Sequence, residues 1–318
     1  MMNKWMMAGV LAMSMMTGGC GGSGTTGSDA AGVDAGVADP AFVAEQQRWR
    51  SQRAARLTAP DGWTTLVGLH WIDTGAHYLG SGARNGIRLA VGPEHLGMLE
   101  LTRQGRLRFV PEQGVELTLD GEPLMTGEVM LRADDDAEGA SVIGFDEDRG
   151  QAMVLKRGNR HALRVRHADA ATRTGFKGID YWPVDGSWRI PGRFIAHPRG
   201  KTLPIVNLVG TTDEMSNPGV VEFERGGQTY RLEALDEGGE QLFLILADRT
   251  SGHDSYGAGR YLYAAKPDPQ GRVTLDFNQA YNPPCAFTAF ATCPLPPHEN
   301  RLDLAITAGE KAYSFSTN

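Results

Sequence analysis

MLELTRQGRLRFVPEQGVELTLDGEPL, residues 98–124, decides the fold. Leu99 and Leu101, then Leu107 and Phe109, then Leu117 and Leu119 alternate with polar or charged residues. That is the period of strands with one face on a core. Gln104-Gly105 and Asp120-Gly121 interrupt the alternation where a tight hairpin needs residues that accept positive φ. The same pattern extends in both directions. Upstream lie TTLVGLHW, HYLG and GIRLAVG; downstream, AMVLKRGNRHALRVRH folds back around Gly158-Asn159, and Asp134, Asp135, Asp136 and Glu138 form an acidic loop. Residues 61–170 are therefore expected to form an N-terminal antiparallel β-sandwich.

Beyond this, KTLPIVNLVG, VVEFERGGQTYRLEAL with its Gly226-Gly227 turn, QLFLILAD, RYLYAA, RVTLDF, LDLAITAG and AYSFS continue the strand pattern. They predict a C-terminal antiparallel β domain over 171–318, either a β-sandwich or a partly closed barrel. Phe176, Tyr181, Trp182, Trp188 and Phe194, spaced by prolines and glycines, read first as an apolar seam between the two domains and second as a pocket wall. One element is helical. Asp39-Pro40 is a helix start, and Phe42, Gln46, Trp49, Arg53 and Leu57 share a face, giving one amphipathic helix within 40–60 that ends before Pro60. Its arginines read as a solvated face with surface ion pairs. The fold class is thus mainly β. With 41 glycines and 17 prolines among 318 residues, many short strands joined by turns are the natural reading. A net charge of −7 offers no basic field for a phosphate backbone, which argues against nucleic acid as a partner.

At the N-terminus, Lys4, the apolar run Trp5–Met16 and Thr17-Gly18-Gly19-Cys20 look like a bacterial lipoprotein signal peptide, residues 1–19, cut before Cys20. The run is shorter than the roughly 20 residues a helix needs to span a bilayer. The resemblance implies acylation of Cys20, a lipid bilayer as a partner, and a cell-envelope location. Gly21 after the cysteine is similar to lipoproteins on the periplasmic face of the outer membrane. Residues 20–39, rich in Gly, Ala, Ser and Asp, read as a flexible tether.

WRSQRAARL from Trp49, DGWTTLVGLHW from Asp61, FKGIDYWPVD from Phe176, DRTSGHDSYGAGRYLY from Asp248, DFNQAYNPPCAFTAFATCPLPPHENRL from Asp276 and AGEK from Ala308 carry a family resemblance. Over roughly residues 45 to 315 the chain resembles the domain-of-unknown-function family numbered 1684, which implies no settled activity. Ser255 replaces a threonine expected before Tyr256-Gly257 and keeps the hydroxyl. A second, local likeness is that of YLGSGARNGIRL to the forkhead-associated pattern, whose loop binds phosphothreonine. Ser81 and Arg84 alone do not make that site.

Two polar concentrations are the candidates for chemistry. DRTSGHDSYGAGR follows an apolar strand, which puts Asp248, Ser251, His253 and Tyr256 on a strand-end loop, with Arg260 as a planar donor fork for a carboxylate or phosphate. A turn whose polar groups serve only the backbone, with Arg260 paired to an acid such as Asp276, is the competing reading. Asp276 and Asn278 fall on one face of the strand TLDFN, beside a prolyl loop that carries Tyr281, Asn282 and Cys285. Glu299, Asn300 and Arg301 after the prolines read first as surface residues and second as its rim.

Cys285 and Cys293 are the expected disulfide, a closure worth about 2.6 kcal/mol in the chain-entropy model. A thiolate nucleophile at Cys285, or two inert thiols, are the alternatives. His70, His77, His95, His161, His167 and His197 have no partner spacing, and no metal site or cofactor is predicted. No GxSxG, HExxH or GxxxxGK[ST] string occurs. The leading functional expectation is a small polar or anionic ligand held by Arg260. Hydrolysis with Asp248, His253 or Asp276 as base, or Cys285 as nucleophile, is the alternative, and a structural scaffold the third.

Overall fold

The computed structural model describes residues 39–125 and 127–313. The signal-like segment, Cys20 and the tether up to residue 38 lie outside the described residues. Helix α1 runs Pro40–Leu57, as its start signals predict: the Asp39 carboxylate accepts from the Ala41 amide at 3.1 Å, and Pro40 needs no amide partner in the first turn. The predicted face holds in part, since Gln46, Arg53 and Leu57 are buried.

The first half is a two-layer β-sandwich. Its strands are β1 (Leu66–Ile72), β2 (Gly75–Gly80), β3 (Ile87–Arg88), β4 (Gly97–Leu101), β5 (Leu107–Pro111), β6 (Thr118–Leu119), β7 (Glu122–Pro123), β8 (Val129–Leu131), β9 (Val142–Phe145), β10 (Gly150–Arg157) and β11 (Arg160–His167). One sheet has the order β1-β11-β10-β9-β6-β7 and the other β3-β2-β4-β5-β8. The pairs are antiparallel except β2 with β3. The alternating residues meet between the layers, with Leu99, Leu101, Leu107, Phe109 and Leu117 in one core with Ile143, Val154 and Leu163. Asp120 and Gly121, at φ 53° and 86°, form the tight turn between β6 and β7. The loop around Ser81 and Arg84 is tied to itself: Asn85 donates to the Gly82 and Glu94 carbonyls, and Ser81 to that of Gly92.

The second half contains β12 (Arg189–Ala196), β13 (Thr202–Val206), β14 (Thr212–Ser216), β15 (Gly219–Arg225), β16 (Gln228–Ala234), β17 (Gln241–Leu246), β18 (Arg260–Ala265) and β19 (Arg272–Asp276). They make a four-stranded sheet β16-β15-β12-β19 and two hairpins, β13-β14 and β17-β18. No closed barrel is present among the described residues. Trp188, Phe223, Leu244, Leu262, Leu275 and Phe277 lie in its main core, so Trp188 of the aromatic seam is core. Leu302, Ile306 and Ala308 from the irregular tail are buried in the same core.

Helix α1, although first in the chain, docks on this second half. Gln46 donates to Asp276 at 2.9 Å, Arg50 to the Trp182 carbonyl at 2.9 Å, and Arg53 to Glu310 at 2.9 Å. The reading of its arginines as a solvated face is corrected for Arg50 and Arg53. A helix with a polar buried face can dock only where acids and carbonyls meet it, and the second half supplies them.

The tail reaches this position through Gly309, whose φ is +81° and where a Cβ would stand 2.3 Å from the Ala280 carbonyl oxygen. Gly105 has a similar φ of +78° with nothing within 4 Å of a Cβ. Gly309→Ala is expected to cost at least about 2 kcal/mol, and Gly105→Ala only about 1 kcal/mol of left-handed strain. Urea unfolding of the two variants checks the difference; equal losses would contradict the close approach.

Candidate functional site

The loop after β17 is built around a buried ion pair. Arg260 opens β18 and donates from Nη2 to Asp248 Oδ2 at 2.7 Å, with both side chains fully buried. The guanidinium also donates to the carbonyls of Ala308 at 2.5 Å, Ile306 at 2.9 Å and Glu310 at 3.3 Å. Trp182 lies under it, 5.1 Å from Cζ to the ring centre. Asp248 Oδ1 accepts from the Thr250 amide at 2.8 Å, the Thr250 hydroxyl at 2.7 Å and the Ile306 amide at 3.3 Å. Burial lowers the pKa of Arg260, and Asp248 opposes that shift.

This corrects the leading expectation for Arg260. It is a clamp on the tail and presents no donor to solvent: Nη1 and Nη2 are spent on Asp248 and the tail carbonyls, and the buried Nε has no hydrogen-bond partner among the described residues. Its acidic partner is Asp248 and not Asp276. Asp248 is likewise no accessible base. Ser251 caps the Asp248 amide at 3.1 Å, and His253 is exposed on the turn. The turn reading therefore describes this loop.

Asp276 is used in a second polar junction. It accepts from Gln46, from Nε and Nη2 of Arg189 at 2.9 and 2.7 Å, and from the amide and side chain of Asn278. Arg189 also holds Glu45, and hydrogen bonding between them lowers the Glu45 pKa and raises that of Arg189. The strand ends at Asp276, and a 3₁₀ turn at Phe277–Gln279 sends Phe277 inward while Asn278 pairs with the Asp185 backbone. The expected polar face of Asp276 and Asn278 is consequently an internal joint.

Asn282 is buried as well. Its amide donates to Glu310 at 2.7 Å, its side chain to the Lys311 carbonyl at 2.7 Å, and its carbonyl accepts from Arg53 at 2.8 Å. Arg53 sits 4.5 Å from the Tyr281 ring centre.

The two segments do meet at the prolyl loop. Tyr261 and Tyr281 exchange backbone hydrogen bonds, and the Tyr256 hydroxyl donates to the Cys285 carbonyl at 3.2 Å. The expected disulfide is not formed in this structure: Cys285, half-buried, and Cys293, buried, are free thiols. The loop is ordered without it by the Ala286 and Phe287 amides, which bond to Pro283 and Pro284, and by the fully buried Phe287 ring. The Cys285 amide donates to Cys293 Sγ at 3.1 Å. The Cys285 thiol is held below its ordinary range by a hydrogen bond from Cys293, whereas burial pushes Cys293 up.

One open cleft, about 390 Å³, lies on the far side of this loop. Its floor is Leu203, Pro204 and Val206 from β13 with Leu295, Pro296 and Pro297, and its rim is His298, Glu299 and Arg301. The Leu295 amide donates to the Val206 carbonyl at 2.8 Å and the Leu208 amide to that of Cys293 at 2.9 Å, which joins the prolyl string to β13. Glu299 and Arg301 are exposed, as their first reading as surface residues has it, and they line this cleft rather than the expected Asp276 and Asn278 patch. Asn300 is instead fully buried, bonding to the Glu233 and Ile245 backbones. The floor from β13 was not found in the sequence. The signal available was KTLPIVNL, an apolar run that leaves Val206 48% and Leu208 45% exposed.

Residues 174–311 match the family model described as a protein of unknown function (DUF1684). Through that segment the chain belongs to the DUF1684 family. The match covers the second half, a shorter span than the resemblance implied, and takes in the Arg260 clamp, the prolyl loop and the cleft. Among solved structures, the solution NMR structure of an uncharacterized protein from Haloarcula marismortui is 30% identical, covering 44% of this chain and 78% of that chain, with a TM-score of 0.37. No curated protein matches.

Breaking one half of the clamp leaves the other charge buried and unpaired. Arg260→Ala or Asp248→Ala is expected to destabilise by about 3–5 kcal/mol. The double variant Asp248→Ala/Arg260→Ala is expected to lose less than the two single losses added. Additive losses in a double-mutant cycle by urea unfolding would contradict the clamp.

Proposed function

We propose that this DUF1684 protein is a lipid-anchored envelope protein that binds a small anionic amphiphile in the cleft between β13 and the prolyl string. One observation carries the reading. An apolar floor of leucine, valine and proline ends at Arg301, which is exposed and whose side chain has no hydrogen-bond or ion-pair partner among the described residues. Pockets of this size take small ligands, with apolar walls for affinity and a few polar groups for orientation. A carboxylate or phosphate head at Arg301, with a hydrocarbon or ring on the prolines, matches both parts. Glu299 on the same rim opposes a second negative charge, which favours a singly charged head.

The lipid anchor at Cys20, with a location on the periplasmic face of the outer membrane, is part of the proposal and rests on the sequence of residues 4–20. It would set the protein where amphiphiles are abundant. Hydrolysis with Asp248 or Asp276 as base is not favoured, because the carboxylates are committed to Arg260 and Arg189.

Titration of the full chain with decanoate, followed by protein NMR shifts, tests the reading. Saturable shifts at the Val206 and Leu295 amides are expected, with 1-decanol binding more weakly. Arg301→Ala is expected to weaken decanoate about fivefold, or ~1 kcal/mol, and Arg301→Lys less. Shifts that never saturate, or equal affinity for decanoate in Arg301→Ala, would overturn it.

A further inference from the structure

The prolyl loop holds two nucleophilic groups that neither the clamp nor the cleft uses. Cys285 and Cys293 are both free, and they are directly bonded neighbours: the Cys285 amide donates to Cys293 Sγ at 3.1 Å. Their environments differ. Cys285 is half-buried, while Cys293 is 3% exposed and lies in the core with Phe243, Ile245 and Tyr261.

A third group reaches the neighbouring Thr292 from the sandwich. Arg164 of β11 is 8% exposed, carries no carboxylate partner among the described residues, and leaves Nε without a hydrogen bond. Its Nη2 donates to the hydroxyl of Thr292 at 3.5 Å, next in sequence to Cys293. Neighbouring Asp134 is taken by Arg157 at 2.8 Å. A buried guanidinium without an acid of its own calls for an anion, and with Asp134 engaged by Arg157 a thiolate at Cys293, beside Thr292, is a group that can supply one.

We propose that Cys285 and Cys293 form a reversible dithiol–disulfide couple that exchanges with low-molecular-weight disulfides, Cys285 attacking and Cys293 resolving. In the first step the Cys285 thiolate attacks one sulfur of the small disulfide. A mixed disulfide forms, and the departing thiolate takes up a proton from water. In the second step Cys293 loses its proton and attacks Cys285 Sγ, forming the internal bond and expelling the second small thiolate, which is then protonated. The dithiol loses two electrons and two protons, and the small disulfide becomes two thiols. Arg164 steadies the negative charge as it passes to Cys293. The Tyr256 hydroxyl, bonded to the Cys285 carbonyl, fixes the loop that carries the attacking sulfur. The lowered pKa of Cys285 against the raised one of Cys293 agrees with that order of attack.

Trypsin releases both cysteines in one peptide, residues 273–301. The full chain in detergent would be equilibrated with mixtures of reduced and oxidised glutathione, acid-quenched, alkylated with iodoacetamide and digested. The expected result is a titration from the doubly alkylated peptide to an unalkylated one lighter by two hydrogens than the dithiol form. Cys293→Ser is expected to accumulate glutathione on Cys285. In Cys285→Ser the rate of modification by oxidised glutathione falls at least about tenfold. The wild-type titration stands even if a variant fails to fold. Double alkylation at every ratio would overturn the proposal by showing inert thiols. A bond that survives excess reduced glutathione in the folded chain would overturn it by showing a permanent disulfide. Equal reactivity of the two serine variants would overturn the order of attack.

Discussion

The fully buried guanidinium of Arg260 is the constraint on which the second half of the molecule depends. Taking that charge out of water costs several kcal/mol, and the cost is offset only because Asp248 and three tail carbonyls meet it together. The carbonyls belong to Ile306, Ala308 and Glu310, in a segment without regular strand pairing. Its place is therefore set by the arginine rather than by a sheet. Once Glu310 is held, its carboxylate meets the Asn282 amide and Arg53, and the N-terminal helix has a docking point. Asp276 with Gln46 and Arg189 makes a second point along the same helix. The helix, the prolyl loop and the tail thus form one connected polar joint.

The same joint bears on the contact between the two halves. Arg157 and Arg164 of the sandwich reach the hydroxyl of Thr292 in the prolyl loop, and Arg164 lies 5.4 Å from the Trp63 ring centre. Burial lowers the Arg164 pKa to about 10, the mark of a charge that is poorly compensated where it sits. The loop that carries both thiols is accordingly held between the sandwich on one side and Tyr256 on the other. Its far edge forms the wall of the cleft.

Local features of the fold were readable because they depend on near neighbours. Asp39-Pro40 starts the helix, and the glycine pairs at Gly158-Asn159 and Gly226-Gly227 mark hairpins that the strand registers contain. The chemistry of the polar clusters was not readable in the same way. A strand-end loop rich in Asp, Ser, Thr and Arg has the same composition whether it faces a ligand or encloses an ion pair. The partner that decides, the tail at Ile306–Glu310, lies 46 to 50 residues beyond Arg260. Asp276 was similarly misread because its partner Gln46 is 230 residues away. The cleft needs Leu203 and Leu295 side by side, a pairing that no short-range pattern announces. Only the exposure of Glu299 and Arg301 was visible, since charged residues after a proline run are ordinarily left on the surface.

The tail is held as firmly as the core, by polar rather than sheet interactions. Native-state hydrogen exchange measures this directly at the Ile306, Glu310 and Asn282 amides, bonded to Asp248, Ala280 and Glu310. All three are expected to exchange only through global unfolding, with the same free energy as amides in β17. Exchange at the rate of the exposed turn around Gly238, well ahead of β17, would show that the tail opens on its own and that the buried arginine does not hold it.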